Sequence, residues 1–559
     1  MKALVLSAGD ITYRFKFNKF IFRCPGLIPI GNGVLANRVV EALNRLGISC
    51  EEIFLVTEKE NKSPIVRFIK LPINFLFLEN KTAGVVDTLN QAIQKLLEES
   101  EYLLQEELLI LPVTTVPTSI PKKAPGLVLS RQKFFNPSFS TVEKDGNSIK
   151  FYPKNSPFKK GHGFTGVFRI NIKDLRKILN KVNLLDDLME VIIKGKELGL
   201  DWSLDWDDWL DFGHEINIPR SKALLISSRA FNRIKTDYYT NILIKQSSDE
   251  KLNSEVNFYR QLPSELKALF PFLIETKINN GQIAVMMEYY GYKTLSEWSI
   301  FYDVTFEEWT HLWEKLKNII VRFLEYKPKK EEAYTLWENI KEFHLVKLKK
   351  RLKEFANQLT SSGLDWVIKA PKIGINGQEL HNIYSIIPEI ENAISKLYSS
   401  DPTPYIGIVH GDLCFSNILW DPDSGIVKLL DPRGNWGKIF TIYGDIRYDI
   451  AKLAHSIWGL YDLFMCDLYS LNINKHKKTI NYFIFDEFFT NKNKIENCFS
   501  EMLNYFGFNV REIKFLMGLL FVTMPPLHFE SKERQIAFYV HGIRILNEAL
   551  KGGSYEDLH

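Results

Sequence analysis

Between Ile408 and Gly434 the chain reads IVHGDLCFSNILWDPDSGIVKLLDPRG. Three side chains in that stretch have the types and spacing to do chemistry together. Asp412 follows His410-Gly411, Asn417 comes five positions later, and Asp431 ends a short apolar run. Moving a phosphoryl group from ATP to a hydroxyl needs such parts. One carboxylate must orient the hydroxyl and take its proton, while a second carboxylate and an amide oxygen hold the magnesium ions that bridge the phosphates. On this reading Asp412 is the catalytic base, and Asn417 and Asp431 are the metal ligands. His410 is expected to serve as a core histidine bonded to the loop rather than as a reacting group.

An Asp and an Asn at this spacing occur together often by chance, so the elements upstream must be asked for the rest. Lys245 lies in the strand-like segment NILIKQS, where a lysine would reach the α- and β-phosphates. Glu255 lies on the following helix-like segment, SEVNFYRQL, from which it could pair with Lys245. The run Met286 to Tyr290 ends an apolar strand just before Gly291, and Glu288 and Tyr290 are the candidates there for a hinge that carries the adenine. Taken singly, Lys245 reads equally as a surface lysine and Glu255 as an exposed helix residue. Together and in order, the elements point to ATP and Mg2+ as cofactors.

The segment from Ala223 onward resembles the aminoglycoside phosphotransferase and choline kinase superfamily, on the H-G-D signature, Asn417 and the later Leu430-Asp431-Pro432-Arg433. The spacing of Asp412 and Asn417 is also that of the protein-kinase catalytic loop. Departures from H-R-D and D-F-G favour a small-molecule kinase over a protein kinase. The resemblance implies a bilobal α+β kinase-like fold, with an N-lobe over 223–295 and a helical C-lobe over 296–559. It gives Asp445 and Asp449, in GDIRYDIAKL, the task of bracing the catalytic lobe. SSRAFNRIKTD stands where a phosphate-covering loop would be and has no glycine; amides of Ser228 to Asn232 would have to approach the phosphates. Arg433 reads either as a contact for an anionic acceptor or phosphate, or as a surface ion pair.

The first part of the chain alternates strand and helix patterns: Ala3 to Leu6, Val34 to Leu46, Glu52 to Val56, Val85 to Leu97 and Leu108 to Val113. That alternation predicts a doubly wound, Rossmann-like α/β domain over 1–222. ALVLSAG, GLIPIGNGVLANRVVEALNRLGI, GFTGVFRINIKDL and WLDFGHE resemble segments of sugar nucleotidyltransferases. In that family a lysine precedes the proline of the second segment; here the place holds Cys24 or Pro25. A Gly-Asp pair ends the strand that corresponds to ELLILPVTT; here Pro112-Val113-Thr114 stands instead, and Asp211 alone matches a metal-binding acid. Two-metal chemistry on a nucleoside triphosphate needs paired acids. The domain therefore reads as a degenerate unit that binds or scaffolds, with a nucleotide or nucleotide sugar as its expected ligand. Trp202, Trp206 and Trp209 could form a ligand wall or aromatic packing at the domain junction.

Composition sets wide bounds. With 71 basic and 67 acidic residues the net charge is only +4, which gives no push toward nucleic acid. The lysines from Lys347 to Lys353 alternate with Leu345, Leu348 and Leu352 and read as the solvated face of a helix. Five scattered cysteines suggest neither a disulfide framework nor a zinc site. No apolar run is long enough to span a bilayer, so a cytoplasmic location is expected. The expected activity is phosphorylation of a hydroxyl on a small-molecule acceptor (a sugar, an amino alcohol or a related metabolite), placed by analogy in capsule or surface-polysaccharide biosynthesis. Two rivals stand beside it: a bifunctional kinase-nucleotidyltransferase, and a non-catalytic nucleotide-binding scaffold or regulator.

Overall fold

The structure is a computed structural model. It describes all residues except 12–18, 100, 135–137, 146–147, 157–160, 215–216, 226–232, 238, 248–249, 280–281 and 552–559. The chain divides into two compact units, Met1–Ile226 and Ser227–His559.

The first unit is built on one mixed sheet. Lys2–Leu6 sits between the parallel strands Ile53–Glu58 and Glu107–Pro112, and Asn74–Leu78 extends the parallel part. Beyond Glu107–Pro112 the direction reverses: Gly161–Asn171 runs antiparallel to it and to Gly126–Phe134, whose other neighbour is Ser203–Asp207. The parallel strands read as nearly unbroken apolar runs because helices cover both their faces. Helix Leu35–Arg45 buries Leu35, Val39, Val40 and Leu43, and helix Val85–Glu99 buries Val86, Leu89 and Ile93. This is the α/β arrangement of the nucleotidyltransferase-like fold, doubly wound about its parallel half.

The second unit opens with a four-stranded antiparallel sheet, in the order Arg233–Asp237, Ile242–Ser247, Gln282–Glu288, Leu273–Asn279. Helix Glu250–Gln261 follows its second strand. The remainder is mainly helical, interrupted by short hairpins. Helix Phe306–Glu325 begins at a capping box between Thr305 and Glu308, which satisfies end amides at both positions. Its buried face, Trp309, Leu312, Trp313, Leu316, Ile320 and Phe323, keeps the helical period seen in the sequence. Helices Lys330–Thr360, Ile446–Ile457, Val510–Thr523 and Lys532–Leu550 build the core of this lobe. A small sheet with one helix ahead of a helical lobe is the kinase-like fold.

LLISS after Ala223 is strand-like in composition but does not open a strand: helix Ile218–Leu225 contains Leu224 and Leu225, and the rest lies outside the described residues. Leu273–Asn279 is a strand although its sequence, LIETKIN, is half polar. Trp202 and Trp209 are packed within the first unit: the Trp202 indole donates to the Ile192 carbonyl at 3.1 Å, and Trp209 meets Phe134 and Phe139 edge-on. Phe515 to Met524, the longest late apolar run, is buried in and just after helix Val510–Thr523. Among the described residues no helix is long and apolar enough to cross a membrane.

Candidate functional site

Strand Ile406–Ile408 leads into His410-Gly411-Asp412, and backbone geometry explains the glycine. Gly411 has φ +78°, and a Cβ there would stand 2.5 Å from the Cβ of Arg433. The loop is then tied down from behind. Asp449, fully buried, accepts the His410 amide at 2.6 Å and the Gly411 amide at 2.7 Å. Burial pushes its carboxyl up to about 7, against the pull of those two amides. His410 Nδ1 accepts the Asp412 amide at 3.2 Å, and burial holds its ring down at about 4, so it acts as a neutral acceptor inside the loop.

Substituting Gly411→Ala should cost about 1–3 kcal/mol from the left-handed backbone, plus the displacement of Arg433. Gly437 shares a positive φ of +59° but has nothing within 4 Å of its added Cβ. Denaturant unfolding of Gly411→Ala beside Gly437→Ala separates the two costs. Equal losses would mean that the contact with Arg433 contributes nothing.

After Asp412 a short turn, Phe415–Asn417, delivers Asn417 to the start of the hairpin Ile418–Asp421/Ile426–Leu429. The Asn417 amide nitrogen donates to the Asp412 carbonyl at 2.8 Å and to its carboxylate at 3.0 Å. Those bonds fix the amide plane, and among the described residues its Oδ1 accepts no hydrogen bond. The Leu430 amide donates back to the Asn417 carbonyl at 2.8 Å, so the hairpin returns Asp431 to the same place. Asp431 adopts a left-handed backbone, with φ 58°.

Across from this loop the small sheet contributes its own charges. Lys245, on Ile242–Ser247, bonds Glu255 at 2.8 Å and also Asp431. Lys245 and Glu255 are each only 9% exposed, whereas Asp431 is 51% exposed. Burial works against the Lys245 charge, but Asp431 and Glu255 outweigh it and raise its pKa. Glu255 is raised by burial. Thus Lys245, Glu255 and Asp431 form one cluster, and Asp412 and Asn417 another, joined by the hairpin.

Glu288 and Tyr290 lie together at the end of Gln282–Glu288. The Glu288 carboxylate accepts the Tyr290 hydroxyl at 2.7 Å and the Phe272 amide at 3.0 Å, and Lys428 lies 4.7 Å over the Tyr290 ring. That carboxylate is occupied in stiffening the connection. Ser228 to Asn232, expected from sequence to approach the phosphates, lie outside the described residues.

Sequence patterns did not single out the surroundings of Asp412. Lys452, from helix Ile446–Ile457, bonds its carboxylate at 2.7 Å. Loss of water would raise the Asp412 carboxyl, but Lys452, with Arg433, holds it well below the usual carboxylate range. Lys347 is a correction to the solvated-face reading of its helix: it is half-buried and donates to the Tyr448 hydroxyl at 3.2 Å. Arg433 is not a surface ion pair. It donates to the same hydroxyl at 3.0 Å, and its guanidinium carbon lies 4.9 Å from the Tyr448 ring centre.

Among its described residues the first unit lacks a comparable arrangement. Asp211 is 3% exposed and accepts bonds from the Gly213 amide, His214 and Asn217, at 2.8, 2.8 and 2.7 Å. Cys24 is buried against Ser7 at 3.2 Å, and burial pushes its thiol up. Among the described residues no three His, Cys, Asp or Glu side chains are grouped to hold a metal ion. The pair Asn417 and Asp431 suits magnesium only with phosphate oxygens and water completing the shell, which is how that ion is commonly held beside ATP.

No protein-family model matches the chain, and no curated protein matches it. Solved structures do. A Bacillus anthracis protein described as a glucose-1-phosphate thymidylyltransferase is similar over 41% of this chain and 96% of its own, at 16% identity and a TM-score of 0.35. The CTP:phosphocholine cytidylyltransferase of Streptococcus pneumoniae is similar over 40% and 98%, at 13% identity and a TM-score of 0.30. A thermostable mutant of aminoglycoside phosphotransferase APH(4)-Ia is similar over 59% and 94%, at 11% identity and a TM-score of 0.35.

Proposed function

We propose that the second unit transfers the γ-phosphoryl group of ATP to a hydroxyl of a small molecule, with Asp412 as the base. The observation that carries this reading is the convergence of Lys245, Glu255 and Asp431 from three separate elements, one hairpin away from Asp412 and Asn417. Lys245, held by Glu255, contacts the α- and β-phosphates. Asn417 Oδ1 and the half-exposed Asp431 hold magnesium, which supplies charge neutralisation across the phosphates when bound. Asp412 accepts the proton of the acceptor hydroxyl. The base of ATP rests against the backbone beside Glu288 and Tyr290.

The acceptor is a sugar, an amino alcohol or a related metabolite, and the setting is the cytoplasmic supply of surface-polysaccharide precursors. The first unit serves as a nucleotide- or nucleotide-sugar-binding scaffold. A bifunctional kinase-nucleotidyltransferase is disfavoured by the three hydrogen bonds that already occupy Asp211. Nucleotide-dependent release of pyrophosphate by the full chain would reverse that judgement.

The test is magnesium-dependent ATP consumption by the full-length protein against sugars, polyols and amino alcohols, with the product phosphate located by mass spectrometry. Lys245→Met should raise the KM for ATP about tenfold or more through loss of charge-assisted bonds. An unchanged KM for ATP in that variant would remove Lys245 from the nucleotide site. ATP binding without turnover across a panel that includes polysaccharide precursors would favour the scaffold.

A further inference from the structure

Behind Asp412, three cations, Lys347, Arg433 and Lys452, gather around the buried ring of Tyr448. Lys347 and Arg433 both donate to its hydroxyl, at 3.2 and 3.0 Å, and Lys452 bonds Asp412 at 2.7 Å. Among the described residues neither Lys347 nor Arg433 has an ion-pair partner. The acids facing the group are Asp412 and, behind the loop, Asp449, whose carboxylate is already bonded to two backbone amides. Three cations therefore face two carboxylates, one bonded to Lys452 and the other to two backbone amides. Phe343, Trp436 and Tyr448 surround the Arg433 guanidinium at 5.3, 5.6 and 4.9 Å and limit its screening by water. Burial pushes the Lys347 amine down to about 8, and neighbouring cations, Arg433 first, bring the Tyr448 phenol down to about 8 against its burial. The Lys347 shift comes first from loss of water, and the Tyr448 shift from the cations around it.

Unpaired charge held partly away from water is costly unless a ligand offsets it. Resting on the kinase reading above, we propose that this cluster of cations binds an anionic group of the acceptor, so that the substrate is a hydroxylated molecule carrying a phosphate or carboxylate close to the hydroxyl whose proton Asp412 accepts.

The nucleotide is the other source of phosphate, and the geometry separates the two. Asp431 and Arg433 are two residues apart, yet their side chains part: Asp431 turns to Lys245 on the small sheet, and Arg433 turns to Tyr448 in the helical lobe. The triphosphate already has Lys245 and the magnesium ligands on its side. Lys347 comes from helix Lys330–Thr360, and Tyr448 and Lys452 come from Ile446–Ile457, so the cluster belongs to the helical lobe. Asp412 keeps 38% of its side chain exposed, so an acceptor can reach it from solvent.

Two measurements test this. Inorganic phosphate is titrated into full-length protein already loaded with magnesium and a non-hydrolysable ATP analogue. Saturable binding is expected, weakened about tenfold to a hundredfold in Lys347→Met and in Arg433→Gln. Phosphate that binds only the nucleotide-free protein, or displaces the analogue, would assign the cluster to the nucleotide and overturn the proposal. In turnover, glycerol is compared with glycerol 3-phosphate and glucose with glucuronate. The anionic member should be preferred, and Lys347→Met should raise its KM while leaving the KM for ATP unchanged. Preference for the neutral member overturns the proposal. Phosphate binding to the loaded protein, lost in both variants, supports the anion site even where no acceptor is phosphorylated; that absence of turnover counts against the kinase reading alone.

Discussion

Asp412→Ala is expected to lower acceptor-dependent ATP turnover by about a thousandfold while magnesium-ATP binding persists. A positioned general base contributes on the order of 10²–10⁴, and Asp412 is the partly exposed carboxylate of the loop. The substitution should leave the metal side in place. Asn417 loses its bond to the carboxylate but keeps the one to the Asp412 carbonyl at 2.8 Å, and the Leu430 amide still holds the hairpin. Lys245, Glu255 and Asp431 are untouched. The main structural penalty falls on Lys452, which is 11% exposed and loses its partner. Asp412→Asn controls for this, because it keeps the side-chain shape while removing the charge. Single-turnover ATP consumption and calorimetric nucleotide binding check both halves of the expectation. Full activity in Asp412→Ala would end its assignment as base. Loss of nucleotide binding as well would show that the loop, not the chemistry, had been damaged.

What could be read along the chain depended on how far apart the cooperating residues lie. Asp412, Asn417 and Asp431 come together through one turn and one hairpin, so their spacing carries the geometry. Lys245 and Glu255 are ten residues apart, on a strand and the helix after it, and that is again local. Lys347, Tyr448 and Lys452 are different. Tyr448 receives a lysine from a helix about a hundred residues earlier, and only the packing of the two helices makes the contact. In sequence Lys347 looks like Lys349 and Lys350, which are exposed on the same helix. A rotation of about 100° per residue puts one lysine of such a run inward and the next ones outward.

The fold shows the same boundary. Apolar strands such as Lys2–Leu6 and Glu107–Pro112 announce themselves because both faces are buried. Tyr469–Asn474 and Thr479–Ile484 form a hairpin with polar residues on alternate positions, and Leu273–Asn279 is an edge strand, so neither has a continuous apolar signal. In LLISS, Leu224 and Leu225 suit a strand or a helix end equally, and periodicity alone does not decide so short a run.

The lobe that carries the site should depend most heavily on Arg447. This side chain is 1% exposed and is bonded to Asp445 at 3.1 Å, to Glu512 at 2.9 Å and to the Leu397 carbonyl at 3.3 Å. Asp445 also caps helix Ile446–Ile457 and accepts the Tyr398 hydroxyl at 3.1 Å. Burial opposes the Arg447 charge, yet Asp445 more than restores it and raises its pKa. Removing the cation alone strands two buried carboxylates, and losses of about 3–5 kcal/mol accompany the breaking of such pairs. Arg447→Met is therefore expected to destabilise the full-length protein by about that amount, seen as an earlier denaturant midpoint for the second unit. A buried ion pair contributes less in total than its rupture costs, since both charges had to leave water. Arg447→Met combined with Glu512→Gln should then recover part of the loss, because one of the stranded charges is gone. The same helix supplies Asp449, Tyr448 and Lys452, so partial recovery of stability should restore phosphate binding in parallel. A double variant no more stable than Arg447→Met would mean that Glu512 is not held in place by the charge of Arg447.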